Sequence, residues 1–230
     1  MKNQHKNFTL VELAVIIFCC AAITAVTLPL AHGTVEQAKS ITCMNKLKNI
    51  GQAALQYAKS NSNIVPCRVR DAKTGTVNDF GNWFHVWSKA LIWGGYFGEK
   101  PTVSYNAGNV KYGKEYFGCP DDKNLHNDKK STGSYIIFNL NRKAVELAGN
   151  RFGFSPEEYA RLEVGRDRAE NAIVFDYFPY NGSPFKAAVH GNVSNVLRLN
   201  GEVDTVNITK GRRTPNFYKW FGEDVDGIEL

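Results

Sequence analysis

Between Leu10 and Ala31 the chain carries a single charged side chain, Glu12, and this run limits every fold open to it. As a helix rising about 1.5 Å per residue, it is long enough to cross the hydrocarbon core of a bilayer. A carboxylate just inside such a helix is costly, so it needs a partner or a task. Lys2 and Lys6 precede it and favour a cytoplasmic N-terminus with export of the remainder. A cleaved secretory signal fits less well, because Pro29-Leu30-Ala31 lacks the small-x-small pattern of such cleavage. A buried helix of a soluble protein is seldom apolar over so long a stretch. A plain anchor that tolerates Glu12 near the interface is the simplest reading on composition alone.

Beyond Gly33 the apolar residues change their spacing. Val35, Ala38, Ile41, Leu47, Ile50, Ala54, Leu55 and Ala58 recur every three or four positions, which is one face of an amphipathic helix. Asn61-Ser62-Asn63, followed by Pro66, should end it. The expected organisation is a leader over residues 1–7, one long helix over 8–60 with 8–31 in the membrane, and a globular domain over 61–230. Pro29 removes a backbone donor, and Gly33 lies close by, so a kink or melted turn is expected at 28–33.

The domain is long enough for one core of ordinary size. Strands are expected at 134–140, 171–177, 194–199 and 202–208, and a short aromatic helix or packed loop at 83–93. Asn200-Gly201 joins the last two strands as a hairpin signal. Ser155-Pro156 reads as the cap and first position of a short helix over 157–164. The expected fold class is α+β, a long N-terminal helix packed on a domain with an antiparallel sheet.

The stretch Phe8-Thr9-Leu10-Val11-Glu12-Leu13 resembles the cleavage and methylation motif of type IV prepilins and type II secretion pseudopilins. The resemblance implies that prepilin peptidase cuts between Asn7 and Phe8. It also implies assembly through Glu12, in the family's acidic position, and Pro29, in the place of its helix-breaking proline. Asn7 departs from the small residue usual before the cut. Cys43-Met44-Asn45-Lys46-Leu47, Phe117-Gly118-Cys119-Pro120 and Gly133-Ser134-Tyr135 resemble segments of a bacterial pseudopilin-like family. His190, nine residues, then Asn200-Gly201 resembles that family's His-x9-Asp-Gly pattern. Residues 67–116 resemble nothing named here.

Five cysteines divide by place. Cys19 and Cys20 lie in the apolar run, whereas Cys43, Cys67 and Cys119 belong to the part expected in an oxidising compartment. Three thiols allow one pair, and the residues leave every pairing open; the family resemblance favours Cys43 with Cys119. No spacing among Cys43, Cys67, Cys119, His85, His126 and His190 marks a zinc site. Asp121, Asp122 and Asp128 form one acidic group and Asp224, Asp226 and Glu229 another, and each can offer oxygens to calcium. A solvated acidic surface is the expected reading, and calcium near the C-terminus, at Asp224, Asp226 and Glu229, is the one cofactor the resemblance keeps open.

No nucleophile has a recognisable setting and no Gly-rich phosphate loop opens a helix. A hydrolytic pair of Asp176, at a strand end, with His190, in a loop, is conceivable but nothing in the sequence singles it out; no catalytic residue is assigned and the chain is not expected to be an enzyme. The net charge is +6, with a basic patch at Lys210, Arg212 and Arg213 that gives DNA binding a purely electrostatic basis. The expected function is a filament subunit of a type IV pilus or secretion pseudopilus. It would be single-pass in the inner membrane, with its C-terminal domain in the periplasm or outside. Its partners would be prepilin peptidase, like subunits or other pseudopilins, and membrane lipid. The alternative is a monomeric, membrane-anchored envelope binding module for a ligand or DNA.

Overall fold

The amphipathic pattern beyond Gly33 builds the helix that organises the domain. The computed structural model describes residues 9–69, 73–81, 84–122, 133–149, 152–177, 189–209 and 217–228, with backbone alone at 24–37, 78–81, 84 and 106–110. Helix α1 (Leu10–Ser60) is assigned without a break across 28–33, so no melted turn interrupts it. Cys43, Leu47, Ile50, Ala54 and Ala58 are buried along one face. The helix closes where Asn63 N–H bonds the carbonyl of Ala58 at 2.8 Å. Ser62 and Asn63 both adopt left-handed backbone there, as a helix C-terminus favours.

The chain divides into two units, Met1–Lys39 and Ser40–Leu230. The second unit takes in the last part of α1, residues 40–60, together with everything that follows. In the first unit, Glu12 accepts hydrogen bonds from Thr9 N–H (2.9 Å) and Oγ1 (3.0 Å), and donates its own N–H to Thr9 Oγ1 at 3.3 Å. This is a reciprocal capping box at the start of α1. Those bonds hold the exposed carboxyl below its usual range. The isolated acid has a local task that the sequence reading overlooked.

The membrane-spanning first half of the expected fold class is corrected here. Among the described residues, no helix is long and apolar enough to cross a membrane. The expected single-pass inner-membrane placement, and the lipid partner that went with it, are corrected on the same ground.

Five strands follow: β1 (Asn78–Gly81), β2 (Tyr135–Leu140), β3 (Ala172–Asp176), β4 (Val193–Arg198) and β5 (Val203–Asn207). They form one sheet in sequence order, with every neighbouring pair antiparallel. Strands β2 and β3 are buried at every position, because both sheet faces are covered. Tyr135, Ile137, Val174 and Leu197 join the α1 face in one core. Helices α2 (Phe84–Leu91) and α3 (Tyr105–Phe117) add Trp87, Leu91 and Phe117 to that core.

Ile136, Phe138, Leu140, Phe175 and Val196 line the opposite face. There they meet α4 (Arg142–Ala148), α5 (Pro156–Tyr159) and α6 (Phe217–Trp220), the last continued by a π turn to Val225. Helix α5 stops at Tyr159, well short of the expected 164.

Gly51 permits the close approach of α1 to the sheet: a Cβ there would sit 2.6 Å from Leu197 Cδ1. At the hairpin, Gly201 N–H bonds the Arg198 carbonyl at 2.9 Å. Gly201 has φ +88°, and a Cβ on it would meet Leu55 Cδ1 at 2.7 Å. The turn that ends β4 is thus also a docking point for α1.

Candidate functional site

Three separate segments bring chemistry to the α1 face of the sheet. Cys43 lies on the buried stripe of α1. Cys119 follows the end of α3, where Lys46 Nζ donates to the carbonyls of Glu115 (2.8 Å) and Gly118 (2.7 Å). One α1 side chain so satisfies carbonyls that a helix end leaves unpaired. Cys119 N–H donates to Ser134 Oγ at 2.8 Å, and Ser134 N–H returns to the Phe117 carbonyl at 2.8 Å. Held this way, Cys119 forms a disulfide with Cys43, their Cα atoms 5.3 Å apart.

His190 stands just before β4 and lies against this disulfide. Its Nε2 is 3.4 Å from Cys119 Sγ and 3.3 Å from Asp176 Oδ2. Its Nδ1 is 3.4 Å from Asp121 Oδ2. Asp176 closes β3 on the same sheet face and is fully buried. Asn195 of β4 donates both its backbone N–H (3.0 Å) and Nδ2 (2.6 Å) to Asp176 Oδ2. Thr205 of β5 holds Asn195 through a 2.9 Å bond from its hydroxyl to Oδ1.

Burial governs the charges. It pushes the Asp176 carboxyl up to about 7, against the two Asn195 bonds and with the help of the Asp122 and Asp121 carboxylates. Burial also lowers the His190 pKa, although Asp121 opposes it. The Tyr135 phenol, which donates to the Cys43 carbonyl at 3.5 Å, is raised by burial and by the nearby Asp176.

The residues singled out in the sequence are scattered. Asn7, Phe8, Glu229 and the basic group Lys210, Arg212 and Arg213 lie outside the described residues, as do His126 and Asp128. Pro29 lies within α1. Cys67 is half-buried and outside the disulfide, while Cys19 and Cys20 are exposed. Asp226 is buried, with Arg161 Nη2 at 2.9 Å from Oδ2 and the Ala172 N–H at 2.8 Å from Oδ1. Its carboxylate is committed inward, whereas Asp224 is exposed, so the two do not form a common calcium cage. His190 and Asn200-Gly201 fall at opposite ends of β4; their nine-residue spacing measures a strand rather than a joint site.

Asp176 and His190 do meet, as the conceivable hydrolytic pair required. Asp121, expected at a solvated surface, instead lies against His190, and Asn195 belongs to no motif. Strand alternation is the one available clue to Asn195: Asp176 and Asn195 fall on the face that Val174 and Leu197 place toward α1.

Neither protein-family models, curated proteins nor solved structures yield a match to this chain. The resemblance to type IV prepilins and type II secretion pseudopilins is therefore corrected: it rested on a short motif whose acid has a local capping role. Three further expectations go with it: a filament subunit, prepilin peptidase and like subunits as partners, and the anchored envelope binding module, DNA included. What the fold and cluster define is narrower, an α+β domain with its principal helix covalently joined to the segment that enters β2.

Proposed function

We propose that this chain is a non-catalytic structural domain in which the Cys43–Cys119 disulfide latches the helical layer to the sheet. The observation that carries this reading is the enclosure of the histidine: its side chain is 4% exposed and that of Asp176 1%. A general base must come within hydrogen-bond reach of the proton it removes. Here Nε2 already faces the disulfide sulfur and the Asp176 carboxylate. A surface cleft of about 280 Å³ beside Asn141, Arg142, Arg166 and Asp167 offers no better candidate. Arg142 is engaged by Asp167 and by the Arg166 carbonyl, and Arg166 by Glu163.

The disulfide closes a separation of 76 residues, and loss of such a bridge costs about 2–4 kcal/mol in typical domains. Reduction of the full chain should lower the urea midpoint of unfolding and speed amide exchange first in residues 43–58 of α1. An unchanged midpoint on reduction would sink the latch. Turnover of a chromogenic ester or phosphate monoester that disappears in His190→Gln would sink the non-catalytic reading.

A further inference from the structure

We infer that the reduced latch is a binding site for a thiophilic divalent cation of the zinc class, held by Cys43 Sγ, Cys119 Sγ, His190 Nε2 and the Asp176 carboxylate. The inference rests on the latch reading only in taking Cys43 and Cys119 as the pair that opens.

Cys43, Cys119 and His190 each present a ligand atom, all within 4.8 Å of one another. In a tetrahedral zinc site, bonds of about 2.3 Å to sulfur and 2.0–2.1 Å to nitrogen and oxygen set the edges between ligands. Those edges are roughly 3.6 Å for sulfur to nitrogen and 3.3–3.4 Å for nitrogen to oxygen. The Cys119 Sγ to His190 Nε2 distance is 3.4 Å, and Nε2 to Asp176 Oδ2 is 3.3 Å. Two of the six edges of the tetrahedron are already present, and the other four, each involving a sulfur, are set by rotation of the freed thiols.

The surroundings are those of a ligand set. Asp121 Oδ2 lies 3.4 Å from His190 Nδ1, positioned to hold the ring proton on Nδ1 when Nε2 takes a cation. Asn195 orients Asp176 through two hydrogen bonds. Asp176 Oδ1 is buried and has no hydrogen-bond partner among the described residues, a cost that a cation would remove. Two soft sulfurs, an imidazole and one carboxylate favour zinc or cobalt over calcium or magnesium.

The opening step is thiol–disulfide exchange with a dithiol. The S–S bond breaks, both sulfurs leave as thiols, and the dithiol is oxidised to its own disulfide. Cation binding then displaces the two thiol protons to solvent.

The test uses the full chain carrying Cys19→Ser, Cys20→Ser and Cys67→Ser, reduced with a trialkylphosphine under anaerobic conditions and titrated with Co²⁺. One equivalent should give a sulfur-to-cobalt charge-transfer band and the intense d–d bands of a tetrahedral site, both bleached by Zn²⁺. The oxidised protein should show neither. His190→Gln and Asp176→Asn should each weaken Zn²⁺ binding about tenfold or more, and Asp121→Asn, which leaves all four ligands in place, about tenfold.

Absence of the charge-transfer band in the reduced chain would overturn the site, as would unchanged affinity in His190→Gln and Asp121→Asn together. A lower urea midpoint on reduction without a cobalt band overturns the cation site and keeps the latch. A cobalt band with an unchanged midpoint does the reverse.

Discussion

The two faces of the sheet solve the same problem by different chemistry. On the α1 face a long helix is held by a covalent bond, and a histidine and carboxylates fill the gap beside it. On the opposite face no disulfide occurs among the described residues, and the cover is made of short segments rich in aromatic rings. There the fixed point is Arg161, whose side chain is fully buried against Asp226. Its guanidinium lies 4.2 Å from the ring centroids of both Phe138 and Tyr159 and donates to the carbonyls of Tyr159 and Ala172. A long helix offers one continuous stripe, so one staple fixes its position. Short segments each carry too little apolar area, and a branching cation with several donors can tie several of them at once.

The largest expected effect lies on the aromatic face. Arg161→Met leaves Asp226 charged and buried, which should cost about 3–5 kcal/mol in urea unfolding. Adding Asp226→Leu should recover much of that loss; if the double variant is no better than the single, charge pairing is not what Arg161 supplies.

Next comes the helix face, where Cys43→Ala with Cys119→Ala should cost about 2–4 kcal/mol. Hydrogen exchange would locate the loss, since opening should begin in α1 and leave the amides of α5 and α6 protected. Equal acceleration on both faces would contradict the division of labour.

Gly51→Val tests the same face by overpacking. Its new Cβ would meet Leu197, so about 1–3 kcal/mol should be lost with the disulfide intact; a stable variant would show that α1 shifts freely.

The smallest effect is expected at Ser155→Ala, about 1 kcal/mol. Ser155 Oγ accepts from Glu158 N–H at 3.3 Å and donates to Glu158 Oε2 at 2.8 Å. These bonds lower the Glu158 pKa, so their stabilisation is present above the ordinary value near 4.5 and is lost as pH falls through the depressed one. The difference between variant and parent should therefore be greater at about pH 7 than at about pH 3. A constant difference would mean that Ser155 acts through packing alone.

Much of the sheet was legible because it follows local rules. Strands β2 to β5 announce themselves as short runs bounded by turn residues, and Asn200-Gly201 reports its own backbone geometry. Helix α3 was not legible. Its sequence, with Gly108 and Gly113 within Tyr105–Phe117, has weak intrinsic helix preference, and its burial against the first core supplies what propensity lacks. The misreading at the N-terminus has a similar cause. Thr9 and Glu12 form a capping box at short range, but set against an apolar run the acid attracted a long-range explanation.

The sequence by itself determined the period of α1, the strands β2 to β5, the hairpin and the Ser155 cap, because each depends on residues only a few positions apart. The residues left the cysteine pairing open, and tertiary structure joins Cys43 to Cys119; tertiary structure alone decided that His190 stands between that disulfide and Asp176, and that Arg161 finds Asp226. Those contacts join segments separated by tens of residues. They form where burial removes water and leaves polar groups to find one another, a condition that no local pattern records.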